Sequence, residues 1–105
     1  MVQLLGAGQW RLGERRGWPD NPSYLNLVAW GWRLGEDRRL IEVNLSDTRS
    51  QGFVFLPWED LAGKPWRLSE VFNGEVYDRD GNEILESGLF VDLEPWQFHF
   101  FRFIL

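Results

Sequence analysis

The stretch Tyr24–Ser46, YLNLVAWGWRLGEDRRLIEVNLS, restricts the fold of this chain more than any other. It holds two apolar runs separated by a short charged turn. Trp30, Trp32 and Leu34 share one side of the first run; Ile41, Val43 and Leu45 share one side of the second. A period of two carried by β-branched and aromatic residues is a strand pattern. Gly35-Glu36-Asp37 is a compact turn of the kind that joins antiparallel neighbours. The stretch is read as a central hairpin, with Trp30 and Trp32 in the core.

The rest of the chain continues in the same grammar. Residues 2–12 read as a strand weakened by Gly6 and Gly8. Gly13–Pro22 is irregular: Pro19 and Pro22 remove two ladder donors, and Trp18 sits mid-loop. Phe53-Val54-Phe55-Leu56 is a short strand stopped by Pro57. Trp58–Pro65 is a loop with room for one helical turn. Trp66–Phe72 is a strand with Trp66, Leu68 and Glu70 on one side, and Asn73-Gly74 is a hairpin signal. Glu75-Val76-Tyr77 continues the pairing, Asp78–Asn82 turns, and Glu83–Glu86 is a short extended piece. Gly88–Leu93 is a strand with Leu89, Val91 and Leu93 on one face. Glu94-Pro95 breaks it, and Trp96–Leu105 is the last strand.

About eight short strands, turn signals at regular spacing and no convincing helix predict an all-β, antiparallel β-sandwich with Greek-key connections. The 105 residues suit one domain, with 1–23 as an N-terminal edge strand and loop and 24–105 as the sandwich core. The last strand is unusual, because Phe98 and Phe100 point one way and Phe101 and Phe103 the other. A strand that is apolar on both faces needs cover on both. That cover is either a neighbouring loop or strand, or a partner domain.

Several function classes are disfavoured. A net charge of −5 argues against nucleic acid, which needs clustered cations. No apolar run reaches membrane-helix length, so a membrane partner is not expected. There is no cysteine, hence no thiolate chemistry and no cysteine metal site. That lack, with the lack of a signal-peptide pattern at the start, favours the cytoplasm without deciding the compartment. His99 is the sole histidine and reads as structural. Glu36-Asp37 and Glu59-Asp60 fall in turns, and neighbouring strand residues face opposite ways, so neither pair suits glycosidase chemistry. Asp78–Glu83 begins like a calcium loop, but Gly81 is fourth and Leu89 stands in the twelfth place; a polar β-turn accounts for it. No catalytic residue, cofactor or metal site is expected.

Seven tryptophans leave the open question. Trp18, Trp58, Trp66 and Trp96 lie in or beside loops. Each fills core or anchors a loop, forms a seam against another domain, or stacks on a sugar.

In order, LVAWGWR with Arg33, Val43-Asn44-Leu45-Ser46, GFVFLP, Phe72-Asn73-Gly74-Glu75, Gly88–Pro95 and Phe98-His99-Phe100-Phe101 resemble the C-terminal all-β domain of α-amylase-family glycoside hydrolases. The resemblance covers about residues 24–105. It implies a non-catalytic accessory domain, excised from a larger enzyme. Its partner would be the catalytic (β/α)8 barrel of the same parent chain, which needs roughly 250 residues of its own. In some members of that family such a domain also contacts substrate, which makes α-glucan a candidate further partner. The alternative is an independent carbohydrate-binding module using the loop tryptophans, and a third is a standalone interaction protein.

Overall fold

The computed structural model describes residues 8–105. Gly35 adopts a φ of +59°, which glycine enters without steric strain. This turns Leu27–Leu34 (β3) back onto Asp37–Asn44 (β4), with Leu34 opposite Asp37 and Leu27 opposite Asn44. The hairpin is central, as its pattern predicts. On one side β3 pairs with Gln9–Leu12 (β1); on the other, β4 pairs with Phe98–Ile104 (β9). Pro65–Glu70 (β6) and Val76–Asp80 (β7) complete a six-stranded sheet in the order β1-β3-β4-β9-β6-β7. Glu14–Arg16 (β2), Ser50–Phe55 (β5) and Leu89–Leu93 (β8) form a second sheet in the order β2-β5-β8. Every pairing is antiparallel. The two sheets make an all-β sandwich.

Two elements differ from the expectation. β2 lies in the segment read as irregular, where Arg15 holds it by donating to the carbonyls of Leu25 and Leu27 at 2.6 and 2.7 Å. Asp78–Glu86 is not a turn followed by an extended piece. β7 runs through Asp80, and Gly81–Ser87 is a helix (α1) with Ile84 buried and Leu85 packed against the core. Gly88, at φ +82°, ends it. Two turns of helix are too short to show a 3.6-residue period in the sequence.

The period of two in the hairpin is right, but its phase is the reverse of the expected one. The face of β3 turned toward the second sheet carries Leu27, Ala29 and Gly31, and that of β4 carries Arg38, Leu40, Glu42 and Asn44. Trp30, Trp32, Ile41 and Val43 lie on the outer face. Trp32 is fully buried there beside Trp10, while Trp30 is half-buried, and neither belongs to the inter-sheet core. The reason is room. A side chain at Gly31 would meet the Trp58 ring at 3.0 Å, so the inner surface of β3 is small because a loop tryptophan fills the space above it.

β9 divides as read. Phe101 and Phe103 enter the core, and Phe98 and Phe100 face outward. Phe72, from the β6–β7 turn, lies edge-on to both outer rings, at 5.7 and 6.0 Å. It leaves Phe100 buried and Phe98 half exposed.

Gly81 shows how closely α1 is seated. A Cβ there would sit 1.7 Å from the Leu61 carbonyl oxygen. Gly81→Ala should therefore destabilise the chain by about 2–4 kcal/mol, because backbone must move. Urea unfolding of the two proteins checks this, and an unchanged midpoint would mean that α1 is not docked in this way.

Candidate functional site

The four loop tryptophans separate into two pairs. Trp58 and Trp66 are buried and serve one group, the guanidinium of Arg38. Arg38 is on the inner face of β4 and only 1% exposed. Its guanidinium carbon lies 4.9 Å from the Trp66 ring centre and 5.9 Å from that of Trp58. Asp60, on the 3-10 turn Glu59–Leu61, takes both terminal nitrogens at 2.9 and 2.6 Å. The same carboxylate takes Arg33 at 3.1 and 3.0 Å. Partial burial disfavours charge on Asp60, but the bonds from Arg38 and Arg33 outweigh it and hold its pKa below the ordinary carboxylate value. Trp66 Nε1 donates to the Leu61 carbonyl at 3.0 Å, and Trp58 stands edge-on to Phe103 at 5.4 Å. Both rings are occupied as core and loop anchor.

Trp18 and Trp96 are exposed, at 40% and 64%. Trp18 packs on the outer face of the three-stranded sheet, edge-on to Phe53 at 5.7 Å and inclined 29° to the half-exposed Phe90 at 6.4 Å. Two positions along β8 from Phe90, on the same face, Asp92 is paired with Arg49. The bonds from Arg49 hold the Asp92 carboxyl below its ordinary pKa. This is a flat aromatic surface with a hydrogen-bonding pair beside it. Trp96 has φ +59°, a left-handed backbone that bulky residues rarely adopt. Its backbone N–H donates to the Ser46 carbonyl at 3.1 Å, and the ring projects into solvent. The structure does not bring Trp18 and Trp96 together with Trp58 and Trp66 into one site.

A further constellation lies between the sheets. Glu42 on β4 is opposite His99 on β9, with Oε1 3.2 Å from Nδ1. Glu42 is buried, and its Oε2 has no hydrogen-bond partner among the described residues. The pair borders a cavity of about 290 Å³. The sequence pattern hides it, because the apolar Ile41 and Val43 read as the inward positions of β4, which puts Glu42 in solvent. Burial raises the Glu42 pKa against the pull of His99, while the hydrogen bond with Glu42 raises the His99 pKa against burial. Each shift presumes a charge state of the other group. The conclusion common to both is that the pair holds a proton to higher pH than the separate groups would. Such a pair can bind and exchange a proton. Among the described residues, no group of three or more His, Cys, Asp or Glu is arranged to hold a metal ion.

Two outcomes follow from these charges. Asp60→Ala leaves a buried, unpaired Arg38 and should cost about 2–3 kcal/mol, below the range for a fully buried pair because Asp60 is itself partly exposed. Arg38→Met, which removes the ion as well, should cost less than half as much in parallel urea titrations. For pH, raised pKa values mean that the folded state binds protons more tightly than the unfolded chain. The proton that the Glu42–His99 pair shares contributes stability that is complete below 6.5, the ordinary value for His99, and is lost as pH rises through the pair's raised value. Asp60 and Asp92 act oppositely, losing stability as pH falls through their lowered values from 3.8. Glu70, Glu75, Tyr77, Arg79 and Asp92 surround the pair and are retained in His99→Gln. That variant should lose the decline above 6.5; an unchanged profile in thermal melts from pH 5 to 9 would contradict the assignment.

No protein-family model and no curated protein matches the sequence. A solved structure does: a noncanonic maltogenic α-amylase, AmyB, from Thermotoga neapolitana, with a TM-score of 0.65 and 14% identity over 94% of this chain. The aligned part is 21% of that protein. At this identity the likeness is one of fold, and this chain spans about a fifth of the length of the protein it resembles.

Proposed function

We propose that this chain is the non-catalytic C-terminal accessory domain of an α-amylase-like glycoside hydrolase, packing against a catalytic (β/α)8 domain of the same parent chain and stabilising it in α-glucan metabolism. The observation that carries this reading is the match of 94% of the chain to one fifth of a maltogenic α-amylase. The outer face of the six-stranded sheet adds support. Leu12, Trp30, Ile41 and Phe100 form one cross-strand row, and Val28, Val43 and Phe98 form the next. Leu12 and Phe98 are at least half exposed. A sheet face this apolar is suited to cover by another domain. The roles of Asp60 and Asp37 fit a chain without its own catalytic pair, since each carboxylate neutralises arginines: Arg33 and Arg38 for Asp60, Arg39 for Asp37.

One observation favours a second reading, the carbohydrate-binding module. Trp18, Phe53 and Phe90 make an exposed aromatic surface with Asp92 and Arg49 at its side. Aromatic faces stack on the apolar faces of sugar rings, and flanking polar groups take the hydroxyls.

A single set of measurements separates the two. If the accessory reading holds, the isolated chain neither hydrolyses nor binds maltooligosaccharides, and Phe98→Lys lowers the melting temperature of the longer protein more than that of the isolated chain. Hydrolysis of α-glucan by the isolated chain would defeat both readings. Saturable quenching of tryptophan fluorescence by maltooligosaccharides, lost in Trp18→Ala and kept in Trp96→Ala, would establish the module instead.

A further inference from the structure

Arg79 and the cavity it borders go beyond the accessory reading. Arg79 stands between two aspartates in sequence, yet pairs with the carboxylate of neither. Strand alternation is the cause. Along β7, Tyr77 and Arg79 turn toward the cavity, while Asp78 and Asp80 turn away and are exposed. Asp78 takes Arg67 instead, at 3.1 Å. Arg79 is left half-buried, with its guanidinium carbon 5.5 Å from the Tyr77 ring centre. One of its N–H groups donates to the Asp78 carbonyl at 2.8 Å, and it has no carboxylate partner among the described residues.

The cavity, of about 290 Å³, lies where the six-stranded sheet extends past β8, the edge of the three-stranded one. It is at the small end of ligand pockets, which run from about 300 to 1,000 Å³. Tyr77, Phe101 and His99 form a contiguous row of rings in it, with centres 5.8 and 5.0 Å apart. Leu68, Leu89 and Val91 complete its apolar walls. Arg79 stands at the Tyr77 end of the row and His99 at the other. The remaining polar groups are already matched. Glu42 turns one oxygen to His99 Nδ1, and its other oxygen is sealed from the cavity. His99 keeps a free second nitrogen, but the charge of its ring is met by Glu42. Asp92 takes Arg49, and the Tyr77 hydroxyl spends its proton on the exposed Glu75. The lining charge left without a counterion is that of Arg79.

We propose that this cavity is a binding site for a small molecule made of one apolar ring and a carboxylate, with the carboxylate on the free N–H groups of Arg79 and the ring against Tyr77 and Phe101. A guanidinium presents its N–H groups as a planar fork that meets both oxygens of a carboxylate. The apolar walls limit the body to about one ring, and the arginine repels an amine.

The test is NMR on the intact chain with benzoate as the probe. Benzamide and benzamidine are its neutral and cationic counterparts of similar shape, acetate carries the carboxylate without the ring, and glucose is a neutral sugar ring. Benzoate should shift the Leu68, Leu89 and Val91 methyls and the Arg79 Nε–H saturably. Each of the other four should bind at least about tenfold more weakly, or about 1.4 kcal/mol. Arg79→Gln, on the edge strand β7, should weaken benzoate about tenfold and leave benzamide unchanged. If that variant does not fold, the comparison of the five ligands on the unaltered chain decides the matter. The proposal is overturned by an absence of saturable shifts, by shifts confined to Trp18 or Trp96, by equal or tighter binding of any of the other four ligands, or by undiminished benzoate binding in Arg79→Gln.

Discussion

The inner side of the six-stranded sheet carries a guanidinium, and much of the molecule is arranged around keeping it there. Arg38 sits where a sandwich would place an aliphatic residue, and a lone buried cation costs several kcal/mol. Asp60 neutralises it, which fixes the turn Glu59–Leu61 over the sheet. Trp58 and Trp66 give it aromatic faces, which draws Trp58 and Leu61 of the β5–β6 connection into the core. Trp58 in turn needs a surface with almost no side chains beneath it, which Gly31 provides. One cation thereby fixes a loop, two tryptophans and the shallow surface of β3. A buried pair of this kind is weak evidence for stability, since packed hydrophobes can do as well. Its effect here is positional, because it determines which way the central hairpin faces.

That orientation accounts for the outer face. With Leu27, Ala29 and Leu40 turned inward, Trp30, Ile41 and Val43 are turned out, and Phe98 and Phe100 extend the same surface across β9. Trp32 escapes solvent beneath Trp10, and Phe72 shields Phe100. The remainder, from Leu12 to Phe98, is more apolar than a free sheet face requires. Such a face suits a domain covered on one side by a larger neighbour, the arrangement proposed for it.

How much of this was legible in the sequence depended on whether one phase of a strand was distinctly more apolar than the other. In β6 and β8 the facing was readable, though not the bounds: Trp66, Leu68 and Glu70 share the inner side, as do Leu89, Val91 and Leu93, while the strand read as Trp66–Phe72 is Pro65–Glu70. In β3 both phases are apolar, and in β4 the more apolar phase, Ile41 and Val43, is the one that faces out, so the period was visible and the direction was not. Two tryptophans offer far more apolar area to bury than Leu27 and Ala29, and only the tertiary position of Trp58 reverses that preference. β2 is three residues held by an arginine, and α1 is two turns; neither is long enough to print a period. For the sites, the loop positions of Trp18 and Trp96 did signal exposure. The same signal failed for Trp58 and Trp66, whose cover comes from Arg38, a residue distant in sequence and charged. The Glu42–His99 pair was lost with the phase of β4.

The buried polar side chains differ in how fully they are matched: among the described residues Trp32 Nε1, Arg38 Nε and Glu42 Oε2 have no hydrogen-bond partner, and the others are spent within the fold. Glu70 is as buried as Glu42, but its two oxygens accept backbone N–H groups from Phe72, Asn73 and Phe100. It closes the β6–β7 turn against β9, and no bond is left over. The buried amide of Asn44 is similarly spent on the carbonyls of Thr48, Leu93 and Glu94. These are polar groups buried to hold chain segments together, and their hydrogen-bonding capacity is used up within the fold. Glu42 holds one imidazole, and its second oxygen has no partner among the described residues. A leucine in its place would pack against Leu68 and Phe101 without desolvating a charge. The carboxylate costs stability that its one bond to His99 offsets only in part, and what it gains in exchange is a cross-strand tie between β4 and β9.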